Sequence, residues 1–231
     1  MMKGLVLILT VMLAMIGTSV RAGIVAVPGA GAYMGPIMAH VVSLEGLRFQ
    51  AVVQQHTDYS CGAASVATVL DYAYGKHVSE RHVIIGMLKV SNQKIVKERG
   101  FSMLDMARYL HTLGLHGAGY RVTARLLTGL RIPVIVLLNI HGYEHFVVLK
   151  AVVNGRAYLA DPALGNRSLS MSRFVKAWDG VIFVVVGPHY DEATPLRTGL
   201  KAKRNHGLMV AIERNEQIHL RDFGFIAATN F

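Results

Sequence analysis

The chain contains a single cysteine, Cys61, among its 231 residues. One thiol cannot form an intramolecular disulfide framework or a multi-cysteine zinc site, so the fold must be stabilised by a buried apolar core. The composition meets this requirement, because 52% of the residues are hydrophobic and 16% are charged. A chain of this length and composition is expected to form one domain of ordinary size with tails, and wholesale disorder is excluded.

The N-terminus has the pattern of a secretory signal peptide. A positive charge at Lys3 precedes an apolar run over Gly4–Ile16, and Val20 and Ala22 supply the compact residues that a signal peptidase reads. We therefore expect residues 1–22 to form a signal peptide. The alternative is an uncleaved signal anchor, although an apolar run of this length covers only about 20 Å of a roughly 30 Å hydrocarbon core.

The order of the predicted elements indicates an α+β fold. Helical patterns dominate the first half of the chain, and apolar runs typical of buried strands dominate the second half. Asn154-Gly155 is a hairpin signal between two of these runs. Helices followed by a mostly antiparallel sheet define the α+β class. The expected elements are a loose leader over Gly23–Gly35, helices over Ser60–Tyr74, Glu80–Val90 and Met103–Leu113, and strands over Pro133–Leu138, His145–Leu149, Arg156–Ala160 and Val181–Val186.

Cys61 is predicted to lie at the first turn of a helix. There, unpaired backbone N–H groups and the positive end of the helix dipole favour a thiolate over a thiol. Gln55 can donate its amide N–H toward the same point, and together with the Cys61 backbone N–H it would form an oxyanion hole. The alternative is a buried structural cysteine. Against it, an unpaired cysteine in an exported protein is a liability unless it does chemistry or pairs with another chain.

A reactive thiolate also needs a base, and His145 is the candidate among 11 histidines. His145 opens an apolar strand directly after Gly142-Tyr-Glu, where its side chain can face a cleft. Asp161 closes the following strand, and a carboxylate there can fix the tautomer and orientation of an imidazole. The alternatives are a structural histidine at a strand edge, and an aspartate that initiates a turn before Pro162.

Four matched positions with fixed spacing resemble a known family. They are Gln55, Cys61-Gly62, His145-Phe-Val-Val-Leu and Asp161-Pro-Ala-Leu-Gly165. The chain from about Gln55 to Val186 is similar to the bacteriocin-processing double-glycine peptidases, which have a papain-like fold. The resemblance implies a catalytic triad of Cys61, His145 and Asp161, with Gln55 in the oxyanion hole and no cofactor or metal. Ser60 departs from the pattern, since many members carry an acidic residue before the cysteine.

The resemblance also implies a setting for the protein. Members of this family usually form the N-terminal domain of peptide exporters, but no G-x-x-x-x-G-K-[ST] phosphate loop occurs in this sequence. With a signal peptide in front, the chain resembles the stand-alone, exported proteases of functional amyloid secretion. That likeness implies a periplasmic location, cleavage after small residues such as Gly-Gly, and amyloid subunits and an outer-membrane secretion pore as partners.

The expected domains are the signal peptide over 1–22, a papain-like peptidase domain over 23–188 and a basic C-terminal extension over 189–231. The formal net charge of the chain is +10. The strongest basic cluster lies in the extension and lacks interleaved aromatic residues, so it favours a solvated tail or weak membrane-surface contact over nucleic-acid binding. Two alternatives to an active endopeptidase stay open: a catalytically silent module that binds leader or amyloid segments, and a membrane-surface scaffold.

The strand register provides a geometric test of the triad. If Asn154-Gly155 formed a plain two-residue turn, Asp161 would oppose Val148. Val148 is three residues from His145, so the His145 and Asp161 side chains would point to opposite faces of the sheet. We therefore predict an offset, through a longer loop or a bulge near residues 151–157, that brings both side chains onto one face within hydrogen-bond reach.

Overall fold

The computed structural model describes residues 22–27 and 37–197. The described residues divide into two compact units, with the boundary between Leu47 and Arg48. In the first unit, strands β1 (Ala22–Val27) and β2 (Ile37–Val42) pair antiparallel. A loose leader was predicted over Gly23–Gly35. That prediction was wrong for Gly23–Val27, which belong to strand β1. The predicted signal peptide lies outside the described residues except for its last residue, Ala22.

Four helices precede the six-stranded sheet in the chain and follow a short helix α1 (Leu44–Arg48). Helix α2 begins at the sole cysteine and ends at Gly75, whose left-handed backbone lets its N–H bond to the carbonyl of Leu70. Helix α5 begins with a capping box between Ser102 and Asp105. The helices are α2 (Cys61–Tyr74), α3 (Glu80–Leu88), α4 (Gln93–Arg99) and α5 (Met103–Thr112).

Six antiparallel strands form the sheet of the second unit, in the order β3-β8-β4-β5-β6-β7. This arrangement confirms the predicted α+β class with helices packed on a mostly antiparallel sheet. The strands are β3 (His116–Arg121), β4 (Val134–Ile140), β5 (Tyr143–Val153), β6 (Arg156–Asp161), β7 (Gly165–Ser170) and β8 (Trp178–Val186). Helices α6 (Ala124–Leu127) and α7 (Met171–Ala177) lie in the connections.

Both faces of the central strand β5 are buried, so the sheet separates two cores. Phe146 and Val148 belong to the core formed with α2, α3 and α5. Val147 and Leu149 belong to a second core, which Phe174 of α7 also joins. Because successive side chains of a strand point to opposite faces, this alternation explains why the β5 sequence is a continuous apolar run.

A one-residue bulge lies in β5. The hairpin at Asn154-Gly155 is a plain two-residue turn, and both residues have positive φ angles. Val153 pairs with Arg156 and the register continues to Ala151, but it then shifts by one residue at Lys150. The predicted offset is therefore confirmed as a bulge, one position outside the expected range of 151–157.

The described part of the predicted C-terminal extension packs against the end of α2. Leu196 is fully buried, and Tyr190 contacts the ring of Tyr74 edge-on, with 5.7 Å between the ring centroids. The backbone N–H of Asp191 donates to the carbonyl of Ala73. The remaining residues of the extension, 198–231, lie outside the described residues. Among the helices of the described ranges, none is long and apolar enough to cross a membrane.

Candidate active site

Cys61 is the first residue of α2, and its side chain is buried beside the start of β5. A Cβ added at Gly62 would lie 2.8 Å from the methyl carbon of Met106 and 3.4 Å from the ring of Phe146, so glycine allows this close approach. Ser65, one turn further along, donates a hydrogen bond to the carbonyl of Phe146 at 3.2 Å. These contacts anchor the N-terminal end of α2 to the strand that carries His145.

His145 is the third residue of β5, and its side chain is 4% exposed. Its Nε2 atom lies 2.7 Å from Oδ1 of Asp161, the last residue of β6. The bulge at Lys150 makes this contact possible. Past the bulge Val148 pairs with Ala160, so Asp161 faces the position of Val147, two residues from His145 and on the same face.

Asp161 is fully buried, and its carboxylate accepts four hydrogen bonds. Oδ1 accepts from His145 and from the backbone N–H groups of Ala163 at 2.9 Å and Leu164 at 3.1 Å. Oδ2 accepts from Nε of Arg167 at 2.7 Å. The carboxylate is thus held from three sides, which compensates the loss of hydration. Asp161 therefore has both roles that the sequence suggested: it initiates the turn that contains Pro162, and it contacts the imidazole of His145.

The side chains of His145 and Asp161 are both held in their charged forms. Burial disfavours the imidazolium of His145, but the hydrogen bonds and charges of Asp161 and Cys61 outweigh it and raise the pKa of His145 to about 9. Burial alone would raise the pKa of Asp161, yet the hydrogen bonds and charges of His145 and Arg167 hold it below its ordinary value. An imidazolium beside an ionised carboxylate is the expected state near neutral pH.

The second ring nitrogen of His145, Nδ1, is buried and has no hydrogen-bond partner among the described residues. Nε2 is engaged by Asp161, so Nδ1 is the nitrogen available to the thiol. The thiol of Cys61 nevertheless lies close enough to the imidazole to raise the pKa of His145, although no contact between Nδ1 and another atom has standard hydrogen-bond geometry among the described residues. Loose contacts of this kind are common before a substrate completes a site.

Gln55 lies next to the same group of side chains. Its backbone N–H donates to the carbonyl of Pro162 at 2.9 Å, which ties it to the turn after Asp161. Its side-chain Nε2 donates to the carbonyl of Thr57 at 3.3 Å, and its Oε1 is buried without a partner among the described residues. The predicted donor therefore lies within the loop that leads into Cys61, and in this structure its side-chain amide donates to a carbonyl of the same loop.

Tyr143 covers the imidazole, a role that the sequence analysis missed. Its ring stacks on that of His145, with 6.0 Å between centroids and an interplanar angle of 27°. Its hydroxyl donates to the carbonyl of Asp58 at 3.1 Å, which links the β4–β5 hairpin to the loop before Cys61. The only sequence signal was its position two residues before His145.

An open cleft of about 870 Å³ reaches Cys61. Tyr143 and Phe146 line it on the sheet side, and residues 97–102 line it on the helix side. A cleft that is open at the surface and ends at a buried thiol suits an extended peptide better than a small compact ligand. Within the described residues, no group of three or more His, Cys, Asp and Glu side chains could hold a metal ion.

The family model described as Peptidase C39 family matches residues 50–188. The chain belongs to the Peptidase C39 family. It is therefore a cysteine peptidase, and the predicted resemblance to the double-glycine peptidases is confirmed. The matched range contains all four predicted site residues, from Gln55 to Asp161.

Two curated relatives and one solved structure match between 58% and 100% of this chain. It is 39% identical over 230 residues, the full length of both proteins, to a probable functional amyloid protease FapD of Pseudomonas aeruginosa. A FapD of Pseudomonas fluorescens is 43% identical over 84% of this chain and 86% of its own. The crystal structure of a double glycine motif protease from an AMS/PCAT transporter, in complex with the leader peptide, is 32% identical over 58% of this chain and 89% of its own, with a TM-score of 0.50.

Proposed function

We propose that Cys61 is the nucleophile of this cysteine peptidase, His145 its base and Asp161 the group that orients His145. The observation that carries this proposal is the buried pair of His145 and Asp161, joined at 2.7 Å, next to a thiol at the N-terminal end of a helix. The helix end and the imidazolium both favour a thiolate at Cys61. Gln55 serves as the side-chain donor of the oxyanion hole.

The proposed reaction has two steps. The Cys61 thiolate attacks the scissile carbonyl, and the backbone N–H of Cys61 and the amide of Gln55 stabilise the oxyanion. Nδ1 of the His145 imidazolium then gives its proton to the leaving amine as the C–N bond breaks, which leaves a thioester on Cys61. In the second step, neutral His145 takes a proton from water and the resulting hydroxide oxygen attacks the thioester. The acid product leaves as the C–S bond breaks, which restores the Cys61 thiolate and the His145 imidazolium.

We propose that the bond cleaved follows small residues, such as Gly-Gly. The thiol is only 7% exposed, and Tyr143 stacks over His145, so little room is left for a side chain beside the scissile bond. The solved relative at 32% identity is itself a double glycine motif protease. A residue without a Cβ lets the substrate backbone approach a buried thiol.

The proposed substrate is an exported partner protein of functional amyloid secretion. Support comes from the two relatives named as probable functional amyloid proteases, one of which matches over the full length. In this proposal the signal peptide over 1–22 directs the protein to the periplasm, where amyloid subunits and an outer-membrane secretion pore are its partners. The basic extension over 189–231 contributes at most weak contact with a membrane surface.

A catalytically silent module that only binds leader or amyloid segments is the second candidate. It needs neither a base nor an oriented imidazole. The hydrogen bonds that hold His145 and Asp161 in one buried arrangement therefore favour the active peptidase.

The test is to incubate the purified protein with the proteins encoded beside its gene and to follow cleavage by mass spectrometry. The matched control is Cys61→Ala, which keeps the small helix start. Cleavage by the wild type alone is the expected result. Cleavage by Cys61→Ala would exclude the mechanism, and binding of these proteins without any cleavage would favour the silent module.

A further inference from the structure

We propose that Arg167 is a positioning residue of the site: it fixes the Asp161 carboxylate for His145 and keeps that carboxylate ionised. This inference rests on the proposed triad, and it adds a fourth residue that acts through Asp161 without touching the substrate.

The two oxygens of Asp161 have separate partners. Oδ1 faces His145 and two backbone N–H groups, whereas Oδ2 accepts, within the described part of the chain, from Nε of Arg167 alone, at 2.7 Å. A carboxylate held at both oxygens cannot rotate about its last bond without breaking a charge-assisted hydrogen bond. Without Arg167, Oδ2 would be a buried acceptor with no partner, and rotation would no longer be opposed from that side.

The register of the sheet places Arg167 for this contact. Arg167 pairs with Leu159 across β7 and β6, and Leu159 lies two residues before Asp161. The three side chains therefore share one face of the sheet. The residue directly opposite Asp161 is Gly165, which brings no side chain to that face, so the long arginine reaches the carboxylate diagonally.

Arg167 has no competing partner among the described residues. The Asp161 carboxylate is its only side-chain acceptor there, and its Nη2 atom is buried with no acceptor. Leaving an arginine nitrogen buried and unpaired carries a free-energy cost. A purely structural arginine would be expected to donate to several acceptors, whereas Arg167 directs its Nε at a single oxygen, Oδ2 of Asp161.

Arg167 compensates negative charge among the buried side chains around His145. The charged groups that act on Asp161 are His145 on β5 and Arg167 on β7. Beyond His145 lie the thiol of Cys61 on α2 and the phenol of Tyr143, which also faces the exposed Asp58. With a thiolate at Cys61, an imidazolium and a carboxylate, the buried group carries one net negative charge. The guanidinium neutralises it.

Loss of Arg167 is expected to change the pH dependence of the reaction. Removing the guanidinium raises the pKa of Asp161, because an opposite charge at hydrogen-bond distance holds it low. A carboxyl that binds a proton at higher pH no longer stabilises the imidazolium of His145, so the acidic limb of the pH–rate profile moves upward, by about one pH unit. A residue that only stabilised the fold would lower the rate by the same factor at every pH.

The experiment compares Arg167→Met, Arg167→Lys and Arg156→Met with the wild type. Arg156 is the matched control, because its loss removes the same charge from the neighbouring strand. Among the residues that the structure describes, its side chain donates only to Ser168, at the surface. The readout is the pH dependence of Cys61 alkylation by iodoacetamide, followed by intact mass, together with cleavage of the substrate protein. Since Cys61 is the sole cysteine, all thiol labelling reports on this site.

The expected result is an acidic limb about one pH unit higher in Arg167→Met, partly restored in Arg167→Lys and unchanged in Arg156→Met. An unshifted limb in Arg167→Met would overturn the role of Arg167. If Arg167→Met does not fold, the same measurement is made on Arg167→Gln, which keeps a donor but no charge. An unshifted limb in that variant would likewise overturn the role of Arg167. If the wild type itself reacts like a free thiol and cleaves nothing, the triad fails, and that outcome is distinct from a failure of Arg167.

Discussion

His145 and Asp161 meet at 2.7 Å although a plain hairpin between their strands would turn them to opposite faces of the sheet. The turn at Asn154-Gly155 is indeed plain, and the one-residue bulge at Lys150 corrects the parity of β5 between the turn and His145. A local irregularity in the ladder is thus what aligns the imidazole with its carboxylate.

The order of the mutational effects is the first prediction. Cys61→Ala and His145→Ala should abolish cleavage with the fold intact, since they remove the nucleophile and the base. Asp161→Ala should retain more activity than either of these variants, because Asp161 only orients and stabilises the imidazolium. We expect its loss of kcat to be smaller than theirs by roughly one to two orders of magnitude. The control is Asp71→Ala, an acidic residue of α2 whose carboxylate contacts His77. Equal losses in Asp161→Ala and Asp71→Ala would remove Asp161 from the mechanism.

The stability of the protein should fall as the pH rises. The pKa of His145 is about 9 in the folded protein, compared with an ordinary value of 6.5. Because the folded pKa is raised, this contribution is fully present below pH 6.5 and is lost as the pH passes through about 9. Urea unfolding at a series of pH values should show a loss of up to about 3 kcal/mol in the wild type.

The same titration should disappear in His145→Gln. His82→Gln is its control, because His82 lies on the exposed side of α3. A wild-type slope that persists in His145→Gln, or that vanishes in His82→Gln, would show that the charged imidazole is not the source.

Gly165 should be intolerant of a side chain. Its φ angle is +78°, and a Cβ would lie 2.5 Å from the carbonyl oxygen of Arg48, where backbone cannot give way easily. Gly142 has a similar φ of +86° but open space around it. We expect Gly142→Ala to cost about 1–2 kcal/mol from the backbone alone and Gly165→Ala to cost about 1–3 kcal/mol more. Equal midpoints in urea unfolding would contradict the close approach.

Processing at the N-terminus is a further prediction. The mature protein should begin at Gly23 and be recovered from the periplasm, because residues 1–22 have the pattern of a cleaved signal peptide. N-terminal sequencing of the extracted protein measures this directly. An intact Met1 in the membrane fraction would support the signal-anchor alternative.

Elements with a strong local pattern were predictable from the sequence. Helix α2, the apolar strands β4, β5 and β8 and the hairpin at Asn154-Gly155 were all found, since periodicity and turn chemistry act locally. Strand β3 was missed because it contains glycines, which disfavour strands. At Gly117 the glycine is needed for packing, as a Cβ there would lie 2.5 Å from the ring of Phe183.

The site itself was predictable only in part. Gln55, Cys61, His145 and Asp161 have identifiable contexts and spacing, and the structure brings them together. Arg167 has no local signal, and Tyr143 has only its nearness to His145 in the sequence. Their contacts depend on strand register and on a hairpin that returns to the Cys61 loop. The bulge was deduced from the need to align two side chains, but its position at Lys150 depends on packing that no local pattern records.

The most direct test of the account is labelling of Cys61 by a short electrophilic peptide that ends in Gly-Gly, followed by intact mass at neutral pH. The account predicts rapid, stoichiometric modification of the wild type and labelling of His145→Ala that is slower by about two orders of magnitude or more, because the base is lost. Since the chain has one cysteine, the adduct can form only at this site. Labelling of the wild type at the rate of a free thiol, with no change in His145→Ala, would contradict it.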